Sequence, residues 1–182
     1  MKIIDLDIPG PKIIEPDIFP DARGFFCETY NQKRYAEYGI VNPFVQDNLS
    51  KSKKGTLRGL HYQLPHGQAK LAHVIQGEVL DVIVDIRKGS PTFGKWSGIT
   101  LSAENKRQLF VPQGFAHGYC VLSESAVFAY KCSDFYALDC EKGILWSDPD
   151  INIDWPIADP ILSDKDQEYP CLKDVDRKSL PE

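Results

Sequence analysis

Histidine is scarce in this chain of 182 residues: only His61, His66, His73 and His117 are present. Metal sites in small β-barrels commonly use a His-x-His pair followed by a carboxylate. His61 is followed by Tyr62 and Gln63, so that pair is missing. His61 and His66 are five apart, which on one strand sends them to opposite faces. PQGFAH (112–117) matches the P-x-G-x-x-H half of a metal-binding pattern, but one imidazole without partners is a poor ligand set. The expectation is therefore no metal and no cofactor. Long apolar runs are also lacking. None approaches the ~18 residues of a membrane span, and MKIIDLDIPG sets Asp5 and Asp7 where a signal peptide needs an unbroken apolar stretch. A cytoplasmic protein without membrane contact is expected. The five cysteines (27, 120, 132, 140 and 171) are odd in number and include no C-x-x-C, which fits reduced thiols, with Cys27 and Cys120 as core fillers. A basic surplus is absent, since 21 Lys and Arg face 26 Asp and Glu. That balance argues against a nucleic-acid surface, although two or three local cations suffice for a small anionic ligand. No repeat, low-complexity tract or linker divides residues 1–182, so a single domain is expected.

What is abundant is strand pattern. EVLDVIVDIR (78–87) sets Leu80, Val82, Val84 and Ile86 on one face and Val79, Asp81, Ile83 and Asp85 on the other. Gln76-Gly77 before it reads as a turn from KLAHVI, so 70–87 is expected to be a hairpin. RQLFVPQGFAHGYCVL (107–122) and SAVFAYKCSDFYAL (125–138) add short strands. Thirteen glycines and thirteen prolines break the chain roughly every ten residues, as in a sandwich or barrel. Helix signals are few. Asn31 caps a segment over 32–38 closed by Gly39, and Ser163 with Asp166 opens a short C-terminal helix. The last dozen residues look loosely held. The reading is an all-β, jelly-roll-like barrel with a few short helices, a fold that takes ligands on inward-facing strand residues.

Several residues carry two readings. His61, in LRGLHYQ (57–63), is either a satisfied core histidine or a base. Arg58 and Gly59 beside it put polar groups near the barrel interior, and the chain supplies a carboxylate, a tyrosine and a lysine as partners. Lys70 opens a strand, where lysines are usually solvated. Tyr130, in FAYK, alternates as packing tyrosines do. Asp166 is a capping residue by spacing. Arg23 and Glu28 could be a surface ion pair. Phe19, Phe25 and Phe26 are expected in the core, with one ring available to stack on a base.

Taken together, FPDARGFFCETYN, FVQDNLSKSKKGTLRGLHYQ, QAKLAHVIQGEVLDVIVDIRKGSPTFGKW, LSAENKRQLFVPQGFAHGY and LSDKD resemble the dTDP-4-dehydrorhamnose 3,5-epimerase family, in order and over nearly the whole chain. R-G-L-H-[FY]-Q followed by K-L-x-x-V and G-F-A-H-G is a specific combination. The resemblance implies a cupin-type jelly roll, a homodimer without a metal, and a dTDP-sugar substrate inverted at C3 and C5. It implies His61 as base, Asp166 as its carboxylate, Tyr130 as the acid on the opposite face and Lys70 as the cation near the C4 oxygen. Tyr136 stays an alternative acid. Substrate contacts carry over to Arg23, Glu28, Gln46, Asp47, Asn48, Arg58, His117, Glu141 and Lys165, with Phe19 and Phe26 near the thymine ring. One departure is visible: AHV (72–74) stands where the family commonly has V-R-V, so His73 replaces an arginine. A cupin ketoisomerase, a C3-only epimerase, a metal-dependent cupin and a non-catalytic sugar or nucleotide binder remain as alternatives at this point.

Overall fold

The computed structural model describes residues 1–182. Two antiparallel sheets face each other. The first contains, in spatial order, β1 (Lys2–Asp5), β2 (Lys12–Glu15), β10 (Gln108–Val111), β7 (Lys70–Gln76), β12 (Ser125–Cys132) and β5 (Gln46–Lys53). The second contains β13 (Glu141–Gly143), β6 (Leu57–Gln63), β11 (Phe115–Val121), β8 (Glu78–Asp85) and β9 (Trp96–Ser102). β3 (Ile18–Asp21) and β4 (Gly24–Cys27) form a separate hairpin. The helices, α1 (Gln32–Ala36) and α2 (Asp164–Glu168), are short. This is the expected jelly-roll barrel. No helix is long and apolar enough to cross a membrane.

Alternation decides which core each side chain enters. On β8, Val79 and Ile83 point between the sheets, where they meet Leu101, Leu109, Tyr119 and Phe128. Val82, Val84 and the following Ile86 point the other way, against Leu60, Ile144, Ile151, Leu172 and Leu180. β8 is apolar on both faces because both are covered. The outer face of the first sheet is covered in turn by Tyr35 and Ile40, packed on Ile14, Leu71 and Phe110.

Four expectations are corrected. Residues 70–87 are not a hairpin: β7 and β8 lie in different sheets, and the chain turns the corner at Gly77. Gly77 has φ +80°, and a Cβ there would meet the Ser125 carbonyl at 2.1 Å. A tight turn and a sheet crossing leave the same mark in sequence. The strand expected to run to 138 stops at Cys132. The helix from Asn31 stops at Ala36, where the Gly39 N–H donates to the Ala36 carbonyl. The C-terminal residues are held. Leu172 and Leu180 are buried, the Tyr62 hydroxyl donates to the Ser179 carbonyl at 3.0 Å, and the Lys88 N–H donates to that of Pro181. Each buried leucine contributes about 1.5–3 kcal/mol, which outweighs the polar look of the segment.

The aromatic run also departs from expectation. Phe19, Phe25 and Phe26 are 55%, 59% and 68% exposed on the β3–β4 hairpin, none of them in the core. Cys120 is buried as expected, whereas Cys27 is only half-buried.

Candidate active site

The LRGLHYQ segment forms β6, but not as a regular strand. His117 of β11 pairs with His61 and Tyr119 pairs with Arg58, so Gly118 alone faces both Gly59 and Leu60. This is a β-bulge, which re-aims the side chains beyond it. Gly59 has φ +130°, and a Cβ on it would sit 2.5 Å from the Gly118 Cα. The extra residue resets the alternation. Arg58 and His61, three apart, therefore line one cavity, where an unbroken strand would send them to opposite faces.

That cavity lies between the sheets as two adjoining lobes of about 250 and 330 Å³, sharing Asn48, His61, Lys70, Tyr130, Tyr136 and Glu141. This is the size of a small-ligand site. The second sheet presents His61 and the first presents Tyr130, so the two side chains reach the space from facing walls. The His61 Nε2 lies 2.5 Å from Asp166 Oδ1, and the Ser163 hydroxyl donates to Asp166 Oδ2 at 2.8 Å. Burial would raise the Asp166 pKa, but the contacts with His61, Ser163 and Lys165 outweigh it and hold the carboxyl below its ordinary value. A carboxylate at Nε2 fixes the tautomer and leaves Nδ1 free to take a proton. Asp166 is thus both the third helical position behind the Ser163 cap and the partner of His61.

Opposite His61 in register stands a second pair of the same kind. The His117 Nε2 lies 2.6 Å from Asp81 Oδ1, both side chains are buried, and Asp81 Oδ2 has no partner. Lys70 projects into the same space and has no ion-pair partner; burial pushes its ammonium below its ordinary pKa, against the pull of Asp81 and Glu141. Burial pushes the Tyr130 phenol up to about 12, so it carries its proton at neutral pH. At the mouth, Glu141 accepts from Lys165 at 2.7 Å and from the Tyr136 hydroxyl at 3.0 Å. Burial would raise the Glu141 pKa; these two partners reverse the sign. Tyr136 is half-exposed there, whereas Tyr130 is set in the wall. No three His, Cys, Asp or Glu side chains converge as a metal would need. His66 lies beyond the end of β6, so the opposite-face argument from one strand does not apply to it.

Of the sequence candidates, Gln46, Asn48, Arg58, His61, Lys70, His117, Tyr130, Glu141 and Lys165 line this space, with Asp166 directly behind His61. Three lie elsewhere in the same chain. Asp47 alternates away from Gln46 and Asn48 and pairs with Lys131 at 2.9 Å. Arg23 and Glu28 do not pair with each other: Arg23 binds Asp21, and Glu28 binds Arg34 at 3.1 Å. Sequence reading missed Asp81, Gln63 and Cys132. Asp81 left a signal, a carboxylate on an otherwise apolar inward face of β8. Gln63 left none: it holds the 133–140 loop by donating to the Phe135 carbonyl and accepting from the Ala137 N–H.

Against known proteins, a family profile described as dTDP-4-dehydrorhamnose 3,5-epimerase matches residues 5–174. The chain is 61% identical over 178 residues to a dTDP-4-dehydrorhamnose 3,5-epimerase of Shigella flexneri, covering 97% of this chain and 98% of that one. It is similar to the crystal structure of a dTDP-6-deoxy-D-glucose-3,5-epimerase from Legionella pneumophila in complex with dTDP-4-keto-L-rhamnose. The TM-score is 0.96 at 54% identity, over 99% of this chain and 97% of that one. A 3'-monoepimerase from Streptomyces bikiniensis, in complex with dTDP-quinovose, has a TM-score of 0.91 at 36% identity, over 97% and 91%.

Proposed function

The chain belongs to the dTDP-4-dehydrorhamnose 3,5-epimerase family, and from that premise we propose how its cavity carries out the reaction. The protein is an isomerase that converts dTDP-4-dehydro-6-deoxy-D-glucose to dTDP-4-dehydro-L-rhamnose. The C4 ketone acidifies the hydrogens on C3 and C5. His61 takes the proton from one ring face, leaving an enolate whose negative charge sits on the C4 oxygen. The Lys70 ammonium stabilises that oxygen, an effect of the order of ~3 kcal/mol for one preorganised donor. Tyr130 returns a proton to the same carbon from the opposite face, which inverts it, and the sequence repeats at the other carbon. His61 then releases its proton to solvent and Tyr130 regains one, so the enzyme is restored. Arg58, His117 and Lys165 hold the diphosphate, and Gln46, Asn48 and Glu141 orient the nucleotide-sugar. The placement of His61 and Tyr130 on facing walls of one cavity carries this reading.

Residues 1–182 act as one catalytic unit in the cytoplasm, paired in a homodimer. Support for the dimer comes from the hairpin: three exposed phenyl rings, with Arg23 and Glu28 close by, lie outside the cavity of their own chain. A second copy would bring them, with Phe19 and Phe26 near the thymine ring, to the site.

Proton NMR in D2O with dTDP-4-dehydro-6-deoxyglucose tests the reading. Exchange at C3 and C5 is expected; exchange at neither would refute epimerisation, and at C3 alone would favour a monoepimerase. His61→Ala should abolish turnover while dTDP affinity stays native. Phe26→Asp should yield a monomer in sedimentation, and a wild-type protein already monomeric would sink the dimer.

A further inference from the structure

Asp166 anchors one nitrogen of His61, yet a single hydrogen bond leaves the imidazole free to turn about the N···O line. We propose that Tyr169 is a positioning residue for the base: its ring fixes the plane of the His61 imidazole so that the free nitrogen faces the sugar. This rests on His61 being the base. Three observations place Tyr169 there. The two rings meet edge to face, with centroids 5.7 Å apart and planes at 69°. Tyr169 is the residue that ends α2, so the helical segment that delivers Asp166 to one side of the imidazole delivers Tyr169 to another. The slot it occupies exists because residue 143 has no side chain. Gly143 pairs with His61 across β13 and β6, and a Cβ on it would lie 2.4 Å from Tyr169 Cδ2 and Cε2. Tyr169 does not line either lobe of the cavity, so its ring acts through His61 and not on substrate.

Edge-to-face packing supplies what the hydrogen bond cannot. The bond sets a distance, and the ring contact sets a rotation. A shape role also predicts that the hydroxyl is dispensable.

The test compares Tyr169→Phe and Tyr169→Ala by steady-state kinetics and by the proton resonance of the hydrogen-bonded His61 N–H. Tyr169→Phe should keep native kcat and the downfield resonance. Tyr169→Ala should lose ~10²-fold in kcat with KM unchanged, the scale of a ~1 Å misplacement, and its resonance should exchange away. Gly143→Ala, which pushes the ring out of its slot, should reproduce that loss and add nothing when combined with Tyr169→Ala; it also serves if Tyr169→Ala does not fold. Native kcat in Tyr169→Ala would overturn the proposal. So would an equal loss in Tyr169→Phe, which would place the hydroxyl in the chemistry. The resonance is read without turnover, so a failure of the ring contact is told apart from a failure of His61 as base, which His61→Ala decides.

Discussion

Replacing Asp166 by asparagine isolates one quantity, the charge behind the base. The side chain is buried, with one oxygen at the His61 Nε2 and the other receiving the Ser163 hydroxyl at 2.8 Å. Asparagine keeps this shape. Its amide oxygen can accept from His61, and its NH2 can donate to the Ser163 oxygen by reversing that bond. What disappears is the attraction between carboxylate and imidazolium that develops as the proton leaves carbon. Two unit charges ~4 Å apart at an effective dielectric constant of ~20 attract by about 4 kcal/mol. At about 1.4 kcal/mol per decade of rate that is ~10³-fold, less what the amide dipole recovers. Asp166→Asn should therefore lose ~10²–10³-fold in kcat, with KM little changed because the carboxylate does not touch substrate. Deuterium wash-in at C3 and C5, followed by NMR at neutral pH, measures it. Wash-in within ~tenfold of native would show that the imidazolium is stabilised elsewhere, and the account of the base would fall.

Tyr130→Phe should separate the two halves of the reaction. His61 can still remove and return a proton on its own face, so deuterium should enter unepimerised substrate while inverted product falls ~10²–10⁴-fold; unchanged product formation would return Tyr136 to consideration as the acid. Asp85 offers a stability test away from the site. Burial alone would raise its pKa, but hydrogen bonds from Arg87, Ser90 and Thr92 bring it down to about 2 from an ordinary 3.8. A depressed carboxyl stabilises the fold above its unfolded pKa and ceases to do so as pH falls through the folded one. Asp85 should thus contribute about 2 kcal/mol above pH ~4, lost between pH ~4 and ~2. In urea unfolding, the gap between wild type and Asp85→Asn should narrow over that range, and a constant gap would refute the assignment.

Much of this architecture is readable from the chain because single residues carry it. Strict alternation in EVLDVIVDIR assigns each side chain of β8 to one of two cores, and the structure follows it. The caps at Asn31 and Ser163 are local hydrogen bonds between residues three apart, so spacing reveals them. Sheet membership is not local. Gln76-Gly77 marks a reversal, but whether the chain returns along its own strand or crosses to the facing sheet depends on β10, β11 and β12, far away in sequence. The exposed phenyl rings failed for a related reason: hydrophobicity says that a ring is to be covered, not by which molecule. At the site, the motif named His61 and Asp166, but Gln63 and Tyr169 act through backbone anchoring and ring contacts that have no spacing rule.

The crossing of β6 over β11 has a consequence for how this protein can change. At Gly118 an added Cβ would stand 2.7 Å from the Arg58 carbonyl, and at Gly59 it would strike Gly118 in return. The distance between a phosphate-holding guanidinium and a proton-taking imidazole is thus set by two missing methyl groups. Substitution at either position would move Arg58 relative to His61 before it altered any group that meets the sugar. Mutational scanning should accordingly find these two silent backbone positions as intolerant as the histidine itself, with alanine, the smallest possible change, already too large.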